Sequence, residues 1–164
     1  MRQIHILILF FFVFLLQGCG SQKRVLDQYY LIEEPDHNEY RPDISGFPID
    51  SYCEVVPVEI HPAYATTRMA NRGRSREITY YSYHQWVVRP GESFSRMIEE
   101  YLEKHHVFKG LTDRYRDEDP AFRILTRVDH LEVFQADGAF SAYIDLEFKM
   151  IHKQNGVILT HRAD

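Results

Sequence analysis

From Phe140 to Met150 the sequence alternates without a break. Phe140, Ala142, Ile144, Leu146, Phe148 and Met150 fill the even positions, and Ser141, Tyr143, Asp145, Glu147 and Lys149 the odd ones. Successive side chains of a strand point to opposite faces, so this pattern demands a strand with one face on a core and the other mostly in water. Asp137-Gly138 before it and Asn155-Gly156 after it are the dipeptides that best favour tight hairpins. Residues 122–135, 140–152 and 157–161 are therefore predicted to form an antiparallel meander. With a two-residue turn at Asp137-Gly138, Ala142 faces Val133 and Ile144 faces Leu131. Carried back, that register would put Asp129 and Arg127 on the core face, yet the apolar set there is Phe122, Ile124 and Val128. The parity has to flip, which predicts a β-bulge at Asp129–His130.

Upstream the pattern is shorter-ranged. Val25–Ile32 reads as a first strand on the β-propensity of Tyr29, Tyr30 and Ile32, and residues 33–51 as a long loop. Tyr52–Ile60 reads as a second strand with an edge or bulge at Pro57, and Ile78–Tyr83 as a third. Asn71-Arg72-Gly73-Arg74-Ser75-Arg76 reads as a solvated basic loop. Phe94, Met97, Ile98, Tyr101, Leu102 and His105 follow helical spacing. Pro90 and Gly91 start that helix, Glu92 suits its first turn, and Gly110 is the expected stop signal. Residues 112–120 form a charged loop. The fold class expected is α/β, with α+β open: a mixed, largely antiparallel sheet, helices packed on it, and a C-terminal antiparallel meander.

The N-terminus carries a different message. Arg2 is followed by an unbroken apolar run from Ile6 to Leu16, too short to span a bilayer, which needs about 20 residues. Leu16-Gln17-Gly18-Cys19 then stands where a secretion signal would be cut. It resembles the lipobox of bacterial lipoproteins, in which a small residue, here Gly18, lets the peptidase approach and the Cys19 thiol accepts a diacylglyceryl group. The expected organisation is a signal peptide over residues 1–18, a lipidated Cys19 with a short tether over 19–24, and a single domain over 25–164. Two or more acyl chains hold a protein at a membrane firmly. With Cys19 acylated, Cys53 has no partner for an intramolecular disulfide and reads as a small buried hydrophobe.

The chain carries a formal charge of −5, so nucleic acid is not an expected partner. It contains no H-E-x-x-H, C-x-x-C, G-x-S-x-G, Walker A or G-x-G-x-x-G motif. No catalytic residue, cofactor or metal is expected, and the protein is not read as an enzyme. His152 and His161 should fall diagonally near each other across the Asn155-Gly156 hairpin, a spacing that suits polar strand ends better than a metal pair. Tyr81, Tyr83 and Trp86 are the candidate partner interface, because Tyr and Trp are enriched at binding hot spots; packing between strand and helix is the competing use. Alternation puts Tyr81 and Tyr83 on one face and Tyr80 on the other.

Taken together, the lipobox, the Tyr29-Tyr30-Leu31-Ile32 strand, the segment from Val55 to Tyr64, and the run from Ile78 to Trp86 with Pro90 and a helix behind it resemble the ABC-type transport auxiliary lipoprotein family. The resemblance spans roughly Tyr29 to Arg162. It implies a mixed sheet with helices packed on it. It also implies a non-catalytic, periplasm-facing lipoprotein that works with an MCE-type protein and an ABC permease and ATPase to move lipids or organic solutes across the envelope. That family usually continues into a further strand and a C-terminal helix, which is expected to be missing here, leaving Tyr143 and Ile151 partly exposed. Gly20, rather than Asp, after Cys19 favours the outer membrane, with the inner membrane open. Two other readings stay open: a lipoprotein that itself binds lipid, and an envelope scaffold or regulator of cell-wall synthesis.

Overall fold

The computed structural model describes residues 25–33, 49–112 and 119–163. They form strands β1 (Gln28–Tyr30), β2 (Ile49–Val55), β3 (Glu59–Ile60), β4 (Arg68–Arg72) and β5 (Ile78–Trp86). Helix α1 (Pro90–Lys104) and strands β6 (Phe108–Thr112), β7 (Phe122–Ala136), β8 (Ala139–His152) and β9 (Gly156–Ala163) follow.

The meander is there, and β7 is the spine of the whole sheet. One edge of β7 pairs antiparallel with β8 along its full length, from Phe122↔His152 to Ala136↔Ala139, and β8 pairs antiparallel with β9. Ala142 faces Val133 and Ile144 faces Leu131, and the register shifts between Val128 and His130, leaving Asp129 as the extra residue. Asp137 and Gly138 both take positive φ (52° and 78°), the backbone of a two-residue type I′ turn. The second hairpin differs in detail from expectation. His152 pairs with Gly156, so Lys153–Asn155 form a three-residue loop and Gly156, at φ 73°, opens the next strand.

The other edge of β7 receives three short strands in succession, all parallel. β2 docks at Phe122–Ile124, β3 at Arg127–Val128, and β4 at Glu132–Phe134. β6 extends the β2 arm in parallel, β5 extends the β4 arm antiparallel, and β1 closes that arm as the parallel outer strand. The sheet is thus mixed, with its two longest ladders antiparallel.

Val56-Pro57-Val58 separates β2 from β3 in place of one continuous Tyr52–Ile60 strand. Proline has no N–H for the ladder, and the Val58 N–H is satisfied off the sheet, by Ser95 Oγ on α1 at 2.9 Å. The first strand shrinks to Gln28–Tyr30, and the third grows to Trp86. β4 replaces the first part of the expected basic loop, with Asn71 and Arg72 paired to Thr79 and Ile78.

Among the described residues a single helix packs on this sheet, against β2, β3 and β6, where the sequence led us to expect helices. Its apolar stripe is the one the spacing predicts, with Phe94 and Leu102 buried and Met97 and Ile98 half-buried. Gly110 does not stop it. The helix ends earlier because His106 takes φ 50°, the His106 N–H donates to the Glu103 carbonyl and the Val107 N–H to the Leu102 carbonyl, each at 3.1 Å. This is a Schellman-type cap built without glycine; Gly110 lies in β6 opposite Tyr52.

The core follows from the bulge. Ile124 and Val128, at 1% and 0% exposure, point toward the helix before Asp129, and Leu131 does so after it. Cys53, Val55, Leu102 and Phe108 pack around Ile124, and Val58 and Phe94 around Val128. Cys53 is fully buried and is a free thiol; burial, then the neighbouring Glu54 carboxylate, push it up to about 12.

Candidate functional site

Two surfaces of this sheet carry chemistry. The first is the aromatic edge formed by β1 and β5. β1 is three residues long and exposed throughout. Tyr30 stacks on His84 with ring centres 5.8 Å apart, and its hydroxyl donates to Gln28 Oε1 at 2.7 Å and meets His84 Nδ1 at 2.9 Å. Tyr81 meets the same imidazole edge-on at 5.2 Å. On the inner side Tyr80 donates to the Ala63 carbonyl at 2.9 Å and lies under the Arg68 guanidinium, so it is tied into the body.

Strict alternation does not hold through this stretch. Arg68 pairs with Gln85 and Ala70 with Tyr80, so β4 advances two residues while β5 advances five. The Tyr81–His84 segment is looped out of the ladder with β4. Within it Tyr81 and His84 come together and Tyr83 is 46% exposed. Of the three residues singled out from sequence, Tyr83 is displayed to solvent, while Tyr81 and Trp86 are half-buried. Trp86 pairs with Tyr30 of β1, and its backbone N–H donates to the Thr67 carbonyl at 2.7 Å. Gly18 and Cys19, the expected cleavage and lipidation positions, lie outside the described residues.

The second surface is the sheet face turned away from α1, and it is ionic along much of its length. Glu132, 7% exposed, accepts from the Tyr64 hydroxyl at 2.8 Å and pairs with Arg72 Nε at 3.0 Å, while Arg72 Nη2 donates to the Tyr64 oxygen at 2.9 Å. Burial, then the hydrogen bond to Glu132, push the Tyr64 phenol up, so it stays protonated as a donor. Asp145, 5% exposed, is held by a two-pronged Arg162 fork, Nε to Oδ1 at 3.0 Å and Nη2 to Oδ2 at 2.6 Å. That fork holds its carboxyl below the ordinary aspartate value, against the opposing effect of burial, and His130 Nδ1 stands 3.5 Å away.

The bulged Asp129 then links Arg162, at 3.7 Å, to Arg127, at 3.0 Å. Glu147 continues the belt between Arg127 and Lys149, and the hydrogen bond from Lys149 holds the Glu147 carboxyl below its ordinary value. The alternation of β8 placed Asp145 and Glu147 on this face. It gave no sign that Asp145 would be buried, because the covering side chain, Arg162, comes from the next strand.

Two clefts flank the first half of α1. One, about 340 Å³, lies between Leu31, Ile32, Val88 and Met97 with Arg96 and Glu100 at its rim. The other, about 620 Å³, lies across the helix start beside Pro57, Ile60 and Arg89. Among the described residues no three His, Cys, Asp or Glu side chains converge on a point. His152 and His161 do not come together as expected. His161 pairs with Phe148, four residues along β8 from His152, because the turn closes over Lys153–Asn155 instead of Asn155-Gly156, a three-residue change of register of which the extra residue Ile158 in β9 restores only one. No helix among the described residues is long and apolar enough to cross a membrane.

No protein-family model and no curated protein matches this sequence. Solved structures do resemble it. A Xanthomonas campestris protein described as DUF330 superposes with a TM-score of 0.62 over 85% of this chain and 74% of that one, at 13% identity. A second, described as an uncharacterized protein, gives a TM-score of 0.60 over 84% and 78%, at 11% identity. The likeness is one of fold.

Proposed function

We propose that this chain is a lipid-anchored, periplasm-facing auxiliary component of an ABC/MCE-type transporter, acting as a non-catalytic docking module with its acyl chains in the outer membrane. The observation that carries this reading is the order of features along the chain. A lipobox-like Leu16-Gln17-Gly18-Cys19 is followed nine residues later by the start of β1, and β1 lies against the Tyr81–Trp86 segment that carries the family resemblance. On this reading the body is the α/β arrangement of that family, with α1 as the helical cover of the β2, β3 and β6 arm. The job needs an anchor, a rigid body and a display surface, and energy would come from the separate ATPase.

Crosslinking of the anchored protein in cells, followed by mass spectrometry, tests the partners. An MCE-type protein with its permease or ATPase is expected; a cell-wall synthase in their place would overturn the reading. Palmitate labelling tests the anchor. The Cys19→Ala variant is expected to fold, to carry no label and to be lost from the membrane; label persisting on it would refute lipidation at Cys19.

A further inference from the structure

We infer that the β1–β5 edge is the surface by which the anchored protein lies against the lipid bilayer. The inference rests on acylation of Cys19. Val25, Leu26, Tyr29 and Leu31 are 57%, 70%, 61% and 54% exposed, and Tyr83 of β5 and Val87, just past its end, are 46% and 54% exposed. Such a run on an outer strand is a liability unless something covers it. The chain itself says what is close enough to do so. Val25 is six residues after Cys19, and an extended chain spans at most about 3.6 Å per residue, so the near end of the patch can never be more than about 22 Å from the acylated cysteine.

A surface held that near the bilayer meets it at high effective concentration. Its chemistry also fits the interface. Tyrosine rings with one wet end belong at headgroup depth, and leucine and valine below it. In the sequence Lys23 and Arg24 fall between Cys19 and Val25, and anionic headgroups attract such cations; Asp27 is the only acidic residue from Val25 to Leu31. The exposed apolar and aromatic groups elsewhere have no such tie: Phe134 and Phe140 sit beside the β7–β8 turn, Tyr143 on β8, and Val157, Ile158 and Leu159 on β9.

Trp86, the only tryptophan of the chain and the partner of Tyr30 across the β1–β5 ladder, is the reporter. The mature acylated protein is placed in phosphatidylethanolamine–phosphatidylglycerol vesicles with and without nitroxide-labelled headgroups. The nitroxide is expected to quench Trp86 emission. The double variant Leu26→Glu/Tyr29→Glu is expected to float with the vesicles but to escape quenching; Val87→Glu, just past the end of β5, should also reduce it. Vesicle-bound protein whose Trp86 is untouched by nitroxide would overturn the docking while leaving the anchor standing, as would a folded double variant quenched like the parent. Wild-type protein that fails to float would overturn the anchor, and the docking with it.

Discussion

Deleting one residue from β7 should be nearly harmless at one position and ruinous three residues earlier. Asp129 is the extra residue of the bulge, so removing it leaves Val128 opposite Leu146 and His130 opposite Asp145. Every side chain of β7 keeps its face. What is lost is a local bend and the ion pairs of Asp129 with Arg127 and Arg162, which are partly solvated and therefore weak. The expected cost is about 1 kcal/mol, near the centre of the range for single changes.

Deleting Thr126 leaves two choices, both poor. If the bulge stays, Phe122 and Ile124 turn outward and Arg123 turns into the core. If the bulge is used up, Val128 turns outward and Arg127 and Asp129 take the helix side. Ile124 and Val128 are 1% and 0% exposed, and losing either burial forfeits about 1.5–3 kcal/mol. Turning a charged side chain into that core costs several kcal/mol more. Together these approach the whole stability of an ordinary domain, about 5–15 kcal/mol. Urea unfolding followed by circular dichroism separates the two cases: a cooperative transition with a slightly lower midpoint without Asp129, and none without Thr126. Equal stability of the two deletions, or loss of the transition on removing Asp129, would refute the assignment of the bulge as the device that sets the faces of β7.

Two further outcomes follow from the ionic face and the core. Because Arg162 holds the Asp145 carboxyl below its ordinary 3.8, that group contributes fully above 3.8 and its contribution fades as pH falls below it. In Arg162→Met the buried carboxylate loses its fork, so the urea midpoint should drop at neutral pH and partly recover on acidification; parallel acid profiles for variant and parent would contradict the pairing. Burial raises the Cys53 thiol to about 12, so iodoacetamide should leave it unmodified in the folded protein at neutral pH and alkylate it in urea, whereas equal rates in both states would show that the thiol is accessible.

What the sequence revealed and what it hid divide along the range of the interactions involved. The meander, its register, the bulge and the stripe of α1 are written locally, because a long strand or helix repeats its period often enough to be read and Asp137-Gly138 fixes where one hairpin turns. β1, β3 and β4 are two to five residues long and pair in parallel with partners distant in the chain. No local period can announce them. Arg68-Met69-Ala70-Asn71-Arg72 looks like loop until β7 supplies Glu132 to pair with Arg72 and the sheet edge to pair with Ala70. The aromatic edge falls between these cases. Its residue types were visible, but which of them are displayed depends on β5 advancing five residues against two of β4. Within the looped-out segment Tyr81 is half-buried against His84 while Tyr83 is displayed. The displayed surface is therefore not β5 alone but the seam between β5 and β1, the first described strand after Cys19 in the sequence.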